Sequence, residues 1–383
     1  METSEKYDIE KYRKKKKRKQ RFKKLGIAAG VILVLLLIYC IFEAVSQNSS
    51  FFSDETNEFP VSLQGVNPSE FSVTSQGLVV TGESDNLFFS ANAKKEAIRK
   101  HGFTLPVVQT VGNKVLTYDQ AGKTFRVDTK GGQFHEPVEM DNQILFCKMD
   151  DSGYIAAVTF EDRYNGSLTI FDDSFDEIYK YNESQYYITA FDFINSQKGV
   201  MAVQTAENGT FKTIVYGLDF HKKSKTEFFK TEIDDMMTLD IAVQDNGNIQ
   251  VIGDRQITTL DKQGEILNTH TFQNDIRLLW NQDDMLVLGL ENMVDSNETD
   301  IVIMEDDGTL KAQTKVNSVL IDIFCCDDQV LLLDKNNIYE YDDQLQLVNT
   351  FPNSQGFTEI AAYNHQIYGI SSETLDVVGE MTY

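Results

Sequence analysis

One pattern recurs along most of this sequence: a short apolar run that ends in an acidic residue. Six of these junctions lie 37 to 47 residues apart, namely Val127-Asp128, Phe171-Asp172, Leu218-Asp219, Leu260-Asp261, Met304-Glu305 and Tyr341-Asp342. A period of about 40 residues is typical of repeat architectures, in which similar units stack and bury one another's faces. This period constrains the fold more than any other feature of the chain.

The runs inside each repeat have the character of strands. KVLTY (114–118), DIVIM (300–304) and NIYEY (337–341) are rich in β-branched and aromatic residues at two-residue spacing. Helical periodicity is weak from Glu58 onward. The one stretch that could form a helix is Asn92 to His101, and it fits a charged edge strand and loop equally well. The sequence therefore predicts an all-β domain.

Three of the junctions carry a glycine three positions after the acidic residue. The pairs are Asp128/Gly131, Asp261/Gly264 and Glu305/Gly308. This spacing predicts a hairpin turn in which the carboxylate accepts hydrogen bonds from turn amides and the glycine adopts a positive φ.

Continuing the same spacing of about 40 residues in both directions along the sequence leads to Ser90 before the first junction and to Leu375-Asp376 after the last. The count is then eight units, each long enough for four strands, which predicts a β-propeller of eight four-stranded blades. Seven blades are the alternative if the first unit, with its charged 92–101 stretch, is an insertion. A stack of β-sandwich domains would be expected to show longer periods.

The last unit, Gly356 to Tyr383, has room for only about three strands. Residues Glu58 to Leu63 precede the first unit and have strand character. We therefore predict that they supply the outer strand of the last blade and join the two ends of the chain. Pro60 suits such an edge strand, which need not donate every amide.

A second feature, Leu25 to Phe42, divides the chain. These eighteen residues carry no charge, and as a helix they would extend about 27 Å, close to the ~30 Å hydrocarbon core of a bilayer. The predicted organisation is a basic cytoplasmic tail (1–24), a transmembrane helix (25–45), a linker (46–57) and an extracytoplasmic propeller (58–383). A cleaved signal peptide is the alternative, but it would have a shorter apolar core.

Charge is distributed unevenly about this stretch. Residues 1–24 hold 12 Lys and Arg against 4 Asp and Glu, whereas the remainder holds 23 against 55. Basic residues beside a span stay in the cytoplasm, so the N-terminus is predicted to be cytoplasmic and the C-terminal domain outside, in a single-pass cell-membrane protein. The residues predicted to contact anionic lipid headgroups are Arg13, Lys14, Lys15, Lys16, Lys17, Arg18, Lys19, Arg21, Lys23 and Lys24.

Two glycines in the apolar stretch, Gly26 and Gly30, have the spacing that lets membrane helices approach closely. They are candidates for a helix–helix contact, and they carry the hypothesis that the protein transmits a signal across the membrane. The oligomeric state is left open.

Catalytic and cofactor signatures are missing from the sequence. It contains no GxSxG, HExxH or phosphate-binding loop, and its five histidines are widely separated. Paired acids such as Asp172-Asp173 lack calcium-loop spacing and are interpreted as solvated turn residues. Cys147 is predicted to be a buried thiol, and Trp280 to lie in the core or between blades. No enzyme activity, metal or cofactor is predicted.

The lysine-rich start, the single span and segments such as PVVQTVGNKVLTYDQAG (106–122) resemble uncharacterised single-pass, propeller-like membrane proteins of Gram-positive bacteria. The resemblance covers nearly the whole chain and implies a fold and a location, but no catalytic residue.

Three functions are consistent with these features. The first is a binding or scaffold module at the cell envelope, with a protein or polymer partner. Nucleic acid is excluded as a partner because the outer domain is strongly acidic. The alternatives are an envelope glycan hydrolase or lyase with axial carboxylates, and a transmembrane signal transducer.

Overall fold

The computed structural model describes residues 58–222, 226–282, 285–291 and 297–382, which contain 33 strands in eight antiparallel sheets. The predicted tail, membrane helix and linker, including Arg13 to Lys24, Gly26 and Gly30, lie outside the described residues. Among the residues that are described, no helix has the length and apolar character to cross a membrane.

Each sheet is one blade, and its strands follow one another in the chain. The chain starts with β1 (Val61–Ser62). Blade 1 is β2 (Pro68–Thr74), β3 (Gly77–Gly82), β4 (Asp85–Phe89) and β5 (Lys95–Lys100); blade 2 is β6 (Pro106–Val111), β7 (Lys114–Asp119), β8 (Thr124–Thr129), β9 (Gly132–Gln133) and β10 (Val138–Glu139). Blade 3 is β11 (Ile144–Met149), β12 (Ile155–Glu161), β13 (Tyr164–Phe171) and β14 (Glu177–Glu183); blade 4 is β15 (Tyr187–Asn195), β16 (Lys198–Glu207), β17 (Thr210–Asp219) and β18 (Glu227–Asp234).

The second half of the ring repeats this arrangement. Blade 5 is β19 (Thr238–Val243), β20 (Ile249–Gly253), β21 (Gln256–Leu260) and β22 (Ile266–Thr271); blade 6 is β23 (Asp275–Gln282), β24 (Met285–Glu291), β25 (Thr299–Met304) and β26 (Leu310–Val316). Blade 7 is β27 (Leu320–Cys326), β28 (Gln329–Asp334), β29 (Asn337–Asp342) and β30 (Leu347–Pro352); blade 8 is β31 (Glu359–Tyr363), β32 (Gln366–Ile370), β33 (Thr374–Glu380) and β1.

The first strands of neighbouring blades surround the central axis. Strand β2 of blade 1 contacts both β6 of blade 2 and β31 of blade 8, so the ring closes on itself. The prediction of eight four-stranded blades is confirmed, and the seven-bladed alternative is wrong. The charged 92–101 stretch contains the outer strand β5 and no helix, as the edge-strand interpretation required.

Ring closure also follows the prediction. Strand β1 pairs antiparallel with β33, with Val61 opposite Leu375 and Ser62 opposite Thr374. Beyond this pair, the Leu63 amide donates to the Glu373 carbonyl at 2.7 Å. The first described strand of the chain is therefore the outer strand of the last blade, and Pro60 stands just before it.

The core lies between blades, on both faces of the second strands. Every residue of β3 and of β20 is buried, which explains why second strands read as continuous apolar runs. Side chains of adjacent blades share clusters: Leu331 of blade 7, Ile360 of blade 8 and Leu78 of blade 1 belong to the same one. Since no blade can bury both of its faces alone, the stacking of blades stabilises the ring.

The ring has two faces. Loops that connect consecutive blades and turns between second and third strands form the connector face; for example, the Asp254 amide of one such turn donates to the Met237 carbonyl of one such loop at 2.9 Å. Turns between first and second strands, and between third and fourth strands, form the turn face. Residues 244–248 and 261–265 belong to it.

The repeated acidic junctions mark the ends of third strands. Asp172, Asp261 and Asp342 each accept two turn amides on Oδ1 at 2.7–3.0 Å, as predicted. Gly264 and Gly308 have φ of +84° and +79°.

Two assignments from the repeat are wrong. Asp128 lies inside β8, is buried and pairs with Arg126 at 2.6 Å, and Gly131 has no positive φ. Asp376 lies within β33 and not at its end, because the last blade is shifted in phase.

Substituting Gly264 tests the turn chemistry. A Cβ atom there would overlap the Phe229 ring of blade 4, in addition to the strain of φ +84°. We expect Gly264→Ala to lower the free energy of unfolding by about 1–3 kcal/mol, measured by urea denaturation. Gly65→Ala is the control, since Gly65 has φ +82° but no atom within 4 Å of the added Cβ. Equal losses in both variants would show that packing against Phe229 contributes nothing.

Candidate functional site

Carboxylates line the axis of the ring at the first strands. In the described residues, six of the eight first strands contain a β-bulge near their start. In three of them an acid follows the bulge directly: Glu70, Asp240 and Asp322. A bulge re-aims the side chains beside it, and these carboxylates lie between neighbouring inner strands.

The acidic side chains connect one blade to the next. A side-chain oxygen of one first strand accepts the backbone N–H of the first strand that follows it around the ring. The donor and acceptor atoms are Ile360 N and Asp322 Oδ2 (2.9 Å), Phe71 N and Glu359 Oε2 (2.6 Å), Val108 N and Glu70 Oε2 (3.2 Å), Met149 N and Gln109 Oε1 (2.7 Å), and Val243 N and Asp192 Oδ2 (2.8 Å). The first four of these hydrogen bonds link blades 7, 8, 1, 2 and 3 in an unbroken series. The fifth links blades 4 and 5.

Desolvation changes the protonation of these groups. Burial raises the pKa of Glu70 to about 7, against the hydrogen bond from Val108, which lowers it. Burial likewise raises the pKa of Glu359 to about 7, and the nearby charges of Asp322 and Glu70 add to the increase. Burial raises the pKa of Asp322 to about 6. Three carboxyls in adjacent blades thus titrate near neutral pH.

A lysine on the first strand of blade 3 contacts two of these acids. Lys148 Nζ lies 3.4 Å from Asp192 Oδ1 of blade 4 and 4.0 Å from Asp240 Oδ1 of blade 5. Burial lowers the pKa of Lys148, but attraction to the two carboxylates outweighs it and raises the pKa above its usual value. This cation ties three consecutive blades together.

We expect Lys148→Met to destabilise the ring by about 1–3 kcal/mol at pH 8, because Asp192 and Asp240 would lose the cation between them. The loss should be smaller at pH 5. Burial already raises the pKa of Asp192, and removing the lysine raises it further, so protonation relieves the repulsion. Urea midpoints at both pH values measure this difference. Lys335→Met, at an exposed site, is the control, and an equal loss at both pH values would contradict the argument.

The axial carboxylates have the character of structural connectors. Catalytic pairs in glycosidases need one acid and one base directed at a substrate. Here one carboxylate oxygen of each of Glu70, Glu359 and Asp322 accepts a hydrogen bond from a backbone amide of the next blade. This arrangement explains how blades of different sequence keep the same register around the axis.

A wide cleft opens on the turn face, where blades 3, 4 and 5 meet. Its volume is about 810 Å³. The Phe193 and Phe228 side chains provide apolar wall, and Lys198 Nζ lies 5.0 Å from the centre of the Phe228 ring. Asp150 and Asp245 add negative charge. The cleft can therefore hold a ligand that presents both apolar and charged groups.

The family model described as "Family of unknown function (DUF5711)" matches residues 67–377, which include strands of every blade but not β1. The chain belongs to the DUF5711 family. The match assigns no activity to the axial carboxylates or to the cleft. Comparison with curated proteins gives no match.

Solved structures show the same fold at low sequence identity. BamB from Moraxella catarrhalis is 12% identical with a TM-score of 0.56, and the match covers 85% of this chain and 97% of BamB. Sqt1 from Saccharomyces cerevisiae is 10% identical with a TM-score of 0.61, covering 84% and 98%. The C-terminal WD40 domain of Sif2 is 12% identical with a TM-score of 0.61, covering 82% and 94%. At this identity the likeness concerns the fold alone.

The structure also locates residues that the sequence singled out. Trp280 lies between blades 6 and 7, its ring centre 4.7 Å from that of Phe324, and Cys147 is buried, so both predictions are confirmed. Asp172-Asp173 lies in a turn of the turn face, as expected. Within the described residues no group of three or more His, Cys, Asp or Glu side chains could hold a metal ion.

Sequence reasoning missed the axial carboxylates, although a signal for them exists. An acid followed by Phe or Ile recurs at the first strands. The pairs are Glu70-Phe71, Asp192-Phe193, Asp240-Ile241, Asp322-Ile323 and Glu359-Ile360. Tracking this dipeptide together with the junctions would have placed acids at the axis.

Proposed function

We propose that this DUF5711 protein is a membrane-anchored binding module, whose propeller lies outside the cell membrane and recognises a protein or polymer of the envelope. The observation that carries the binding role is the contrast between two polar sites. The axial carboxylates are occupied by inter-blade hydrogen bonds, whereas the cleft of about 810 Å³ opens to solvent at the ring surface. Because the buried acids are engaged within the protein and the solvent-accessible site is a cleft, the structure favours ligand recognition over catalysis.

The membrane anchor in this proposal is the apolar stretch 25–45, with residues 1–24 in the cytoplasm and 46–57 as a linker. Arg13 to Lys24 contact anionic headgroups, and Gly26 and Gly30 provide a helix contact if the chain self-associates. The proposal is supported by the charge asymmetry of the sequence.

Cysteine labelling in intact cells tests the topology. A cysteine at exposed Gln344 of the propeller should react with a membrane-impermeant maleimide, and one at Ser4 should react only after lysis. Labelling of Ser4 before lysis, or protection of Gln344, would overturn the proposed location.

Photo-crosslinking from the full-length protein in its own membrane tests the binding role. A photoreactive residue is placed at Lys262 in the cleft, at Phe211 on the connector face, and at Leu347 on an outer strand as the control. We expect one adduct of constant mass from the cleft or the connector face and none from Leu347. Absence of an adduct from both faces would overturn the binding role.

A further inference from the structure

Large apolar side chains are exposed on one sector of the connector face. In the described residues, six of them lie on strands of three consecutive blades: Leu145, Phe160 and Tyr164 of blade 3, Tyr187 and Phe211 of blade 4, and Leu239 of blade 5. Met237, in the loop between blades 4 and 5, is also partly exposed. Tyr187 is 65% exposed, and Phe160 and Phe211 are about half exposed, at 49% and 48%. We call these six residues the apolar patch.

The topology explains why the six share one face. Leu145 and Leu239 occupy the bulge positions near the starts of β11 and β19. Phe160 and Tyr164 flank the turn between β12 and β13, and Tyr187 begins β15. First-strand starts and second-to-third-strand turns both lie on the connector face.

Blade 4 carries a projecting arm on this side. Its first strand begins where Tyr187 pairs with Gln204, but β16 and β17 continue as a hairpin to the pair Glu207 and Thr210. Phe211 lies on this projecting arm, opposite Ala206. The arm therefore presents an exposed aromatic ring beyond the rest of the blade.

The fold does not require apolar residues at these positions. Of the other four bulge positions, three are polar, with Ser69 in blade 1, Thr189 in blade 4 and Arg277 in blade 6, and one is apolar, with Ile321 in blade 7. Polar side chains are thus compatible with the bulge, and the leucines of blades 3 and 5 are an additional feature. Exposed apolar side chains that share one face of neighbouring blades within a polar rim are typical of an interaction surface.

The rim of the patch is acidic. Asp162, Glu207, Asp234 and Asp235 are exposed in the turns and loop of the same three blades. Of the cations nearby, Arg163 shares a turn with Asp162, and Lys212 is held by Glu232 at 2.6 Å. Negative charge therefore dominates around the apolar side chains.

We propose that the apolar patch binds a cationic amphipathic segment of a protein partner, with apolar side chains on the six residues and Lys or Arg against the rim. This rests on the proposed binding function and specifies its surface and partner. Charge complementarity decides the occupant, because a second copy would bring two acidic rims together and an anionic bilayer or nucleic acid would be repelled.

The test uses the full-length chain in nanodiscs of zwitterionic lipid and a fluorescent synthetic peptide of about 18 residues built from leucine and lysine. Fluorescence anisotropy should show binding that weakens with salt. The variant Tyr187→Ser/Phe211→Ser/Leu239→Ser should bind about tenfold more weakly, since exposed apolar anchors supply most of the affinity at such surfaces.

The matched control is Leu267→Ser/Leu347→Ser, which removes side chains of similar exposure (54% and 55%) from outer strands. It should bind as the wild type does, and both variants should keep the wild-type thermal midpoint. A third variant, Asp162→Asn/Glu207→Gln/Asp235→Asn, should weaken binding and flatten its salt dependence. Equal weakening in the patch and control variants, or no binding by the wild type, would overturn the proposal.

Other occupants give distinct outcomes, each of which contradicts the proposal. Self-association abolished by the patch variant would identify a second copy, and retention on phosphatidylglycerol vesicles would identify a membrane. The crosslinking experiment separates this inference from the proposed function. An adduct from Lys262 but not from Phe211 would leave the binding role intact and refute the patch.

Discussion

Leu63→Ala is expected to lower the free energy of unfolding by about 2–5 kcal/mol, the usual cost of truncating a fully buried leucine. Leu63 is 0% exposed and packs with Tyr368 and Leu375 of the last blade. Its position just after β1 makes it the apolar anchor of the ring closure. Urea denaturation followed by far-UV circular dichroism measures the loss.

The control for this prediction is Leu347→Ala, at a 55% exposed position of β30, which should change stability by no more than about 0.5 kcal/mol. Val61→Pro is a second variant, which removes the β1 donor opposite Leu375 at a partly buried position beside the core, and it should also be destabilising. If both Leu63→Ala and Val61→Pro behave like the control, the closing strand contributes nothing to stability.

Glu359→Gln is expected to stabilise the protein at pH 8 and to have little effect at pH 4. Burial raises the pKa of Glu359 from 4.5 to about 7 in the folded state, so the folded protein binds the proton more tightly than the unfolded chain does. The stability that this group contributes is fully present below pH 4.5 and is lost as the pH rises through about 7. Glutamine cannot ionise, so it avoids this loss.

The expected gain at pH 8 is on the order of 3 kcal/mol, from a rise in pKa from 4.5 to about 7 at 1.36 kcal/mol per pKa unit. The side-chain oxygen of glutamine can still accept the Phe71 amide. Blade 2 already uses this solution, since Gln109 Oε1 accepts the Met149 amide at 2.7 Å. The measurement is the difference in unfolding free energy between wild type and variant from pH 4 to pH 8.

Glu177→Gln, at an exposed position of β14, serves as the matched control and should track the wild type at every pH. Glu70→Gln should reproduce the effect of Glu359→Gln, because burial raises the pKa of Glu70 to about 7 as well. A variant curve that runs parallel to the wild type would mean that Glu359 is not protonated in the folded protein near neutral pH.

The architecture was accessible from the sequence because it depends on features that repeat. The acidic junctions of Asp172, Asp261 and Asp342 lie at the ends of the third strands of their blades, since a turn carboxylate must occupy the same place each time. The short last unit and the strand character of residues 58–63 pointed to the closing strand for the same reason. The sequence pattern therefore predicts the structure correctly wherever a local interaction, such as a hydrogen bond within a turn, fixes the position of a residue.

The axial bridges and the apolar patch were not accessible in this way. A bulge shifts the phase of a first strand by one residue, so the position of Asp322 relative to its junction does not reveal that it faces Ile360 of another blade. The exposure of Phe211 depends on how far the β16–β17 hairpin extends past the start of β15, which composition does not encode. Asp376 was misplaced because β33 continues past it to Glu380, so the spacing of the earlier junctions does not hold in blade 8.

That assembly has a consequence for biosynthesis. Val61 pairs with Leu375, more than 300 residues later in the chain, so the ring cannot close until Leu375 has been synthesised. At about 5–20 residues per second, the first strand waits for roughly 15–60 s while the blades are made. During this interval the last completed blade exposes an apolar face that no neighbouring blade covers. A nascent chain that stalls before blade 8 therefore remains a substrate for chaperones and proteases, however many finished blades it carries.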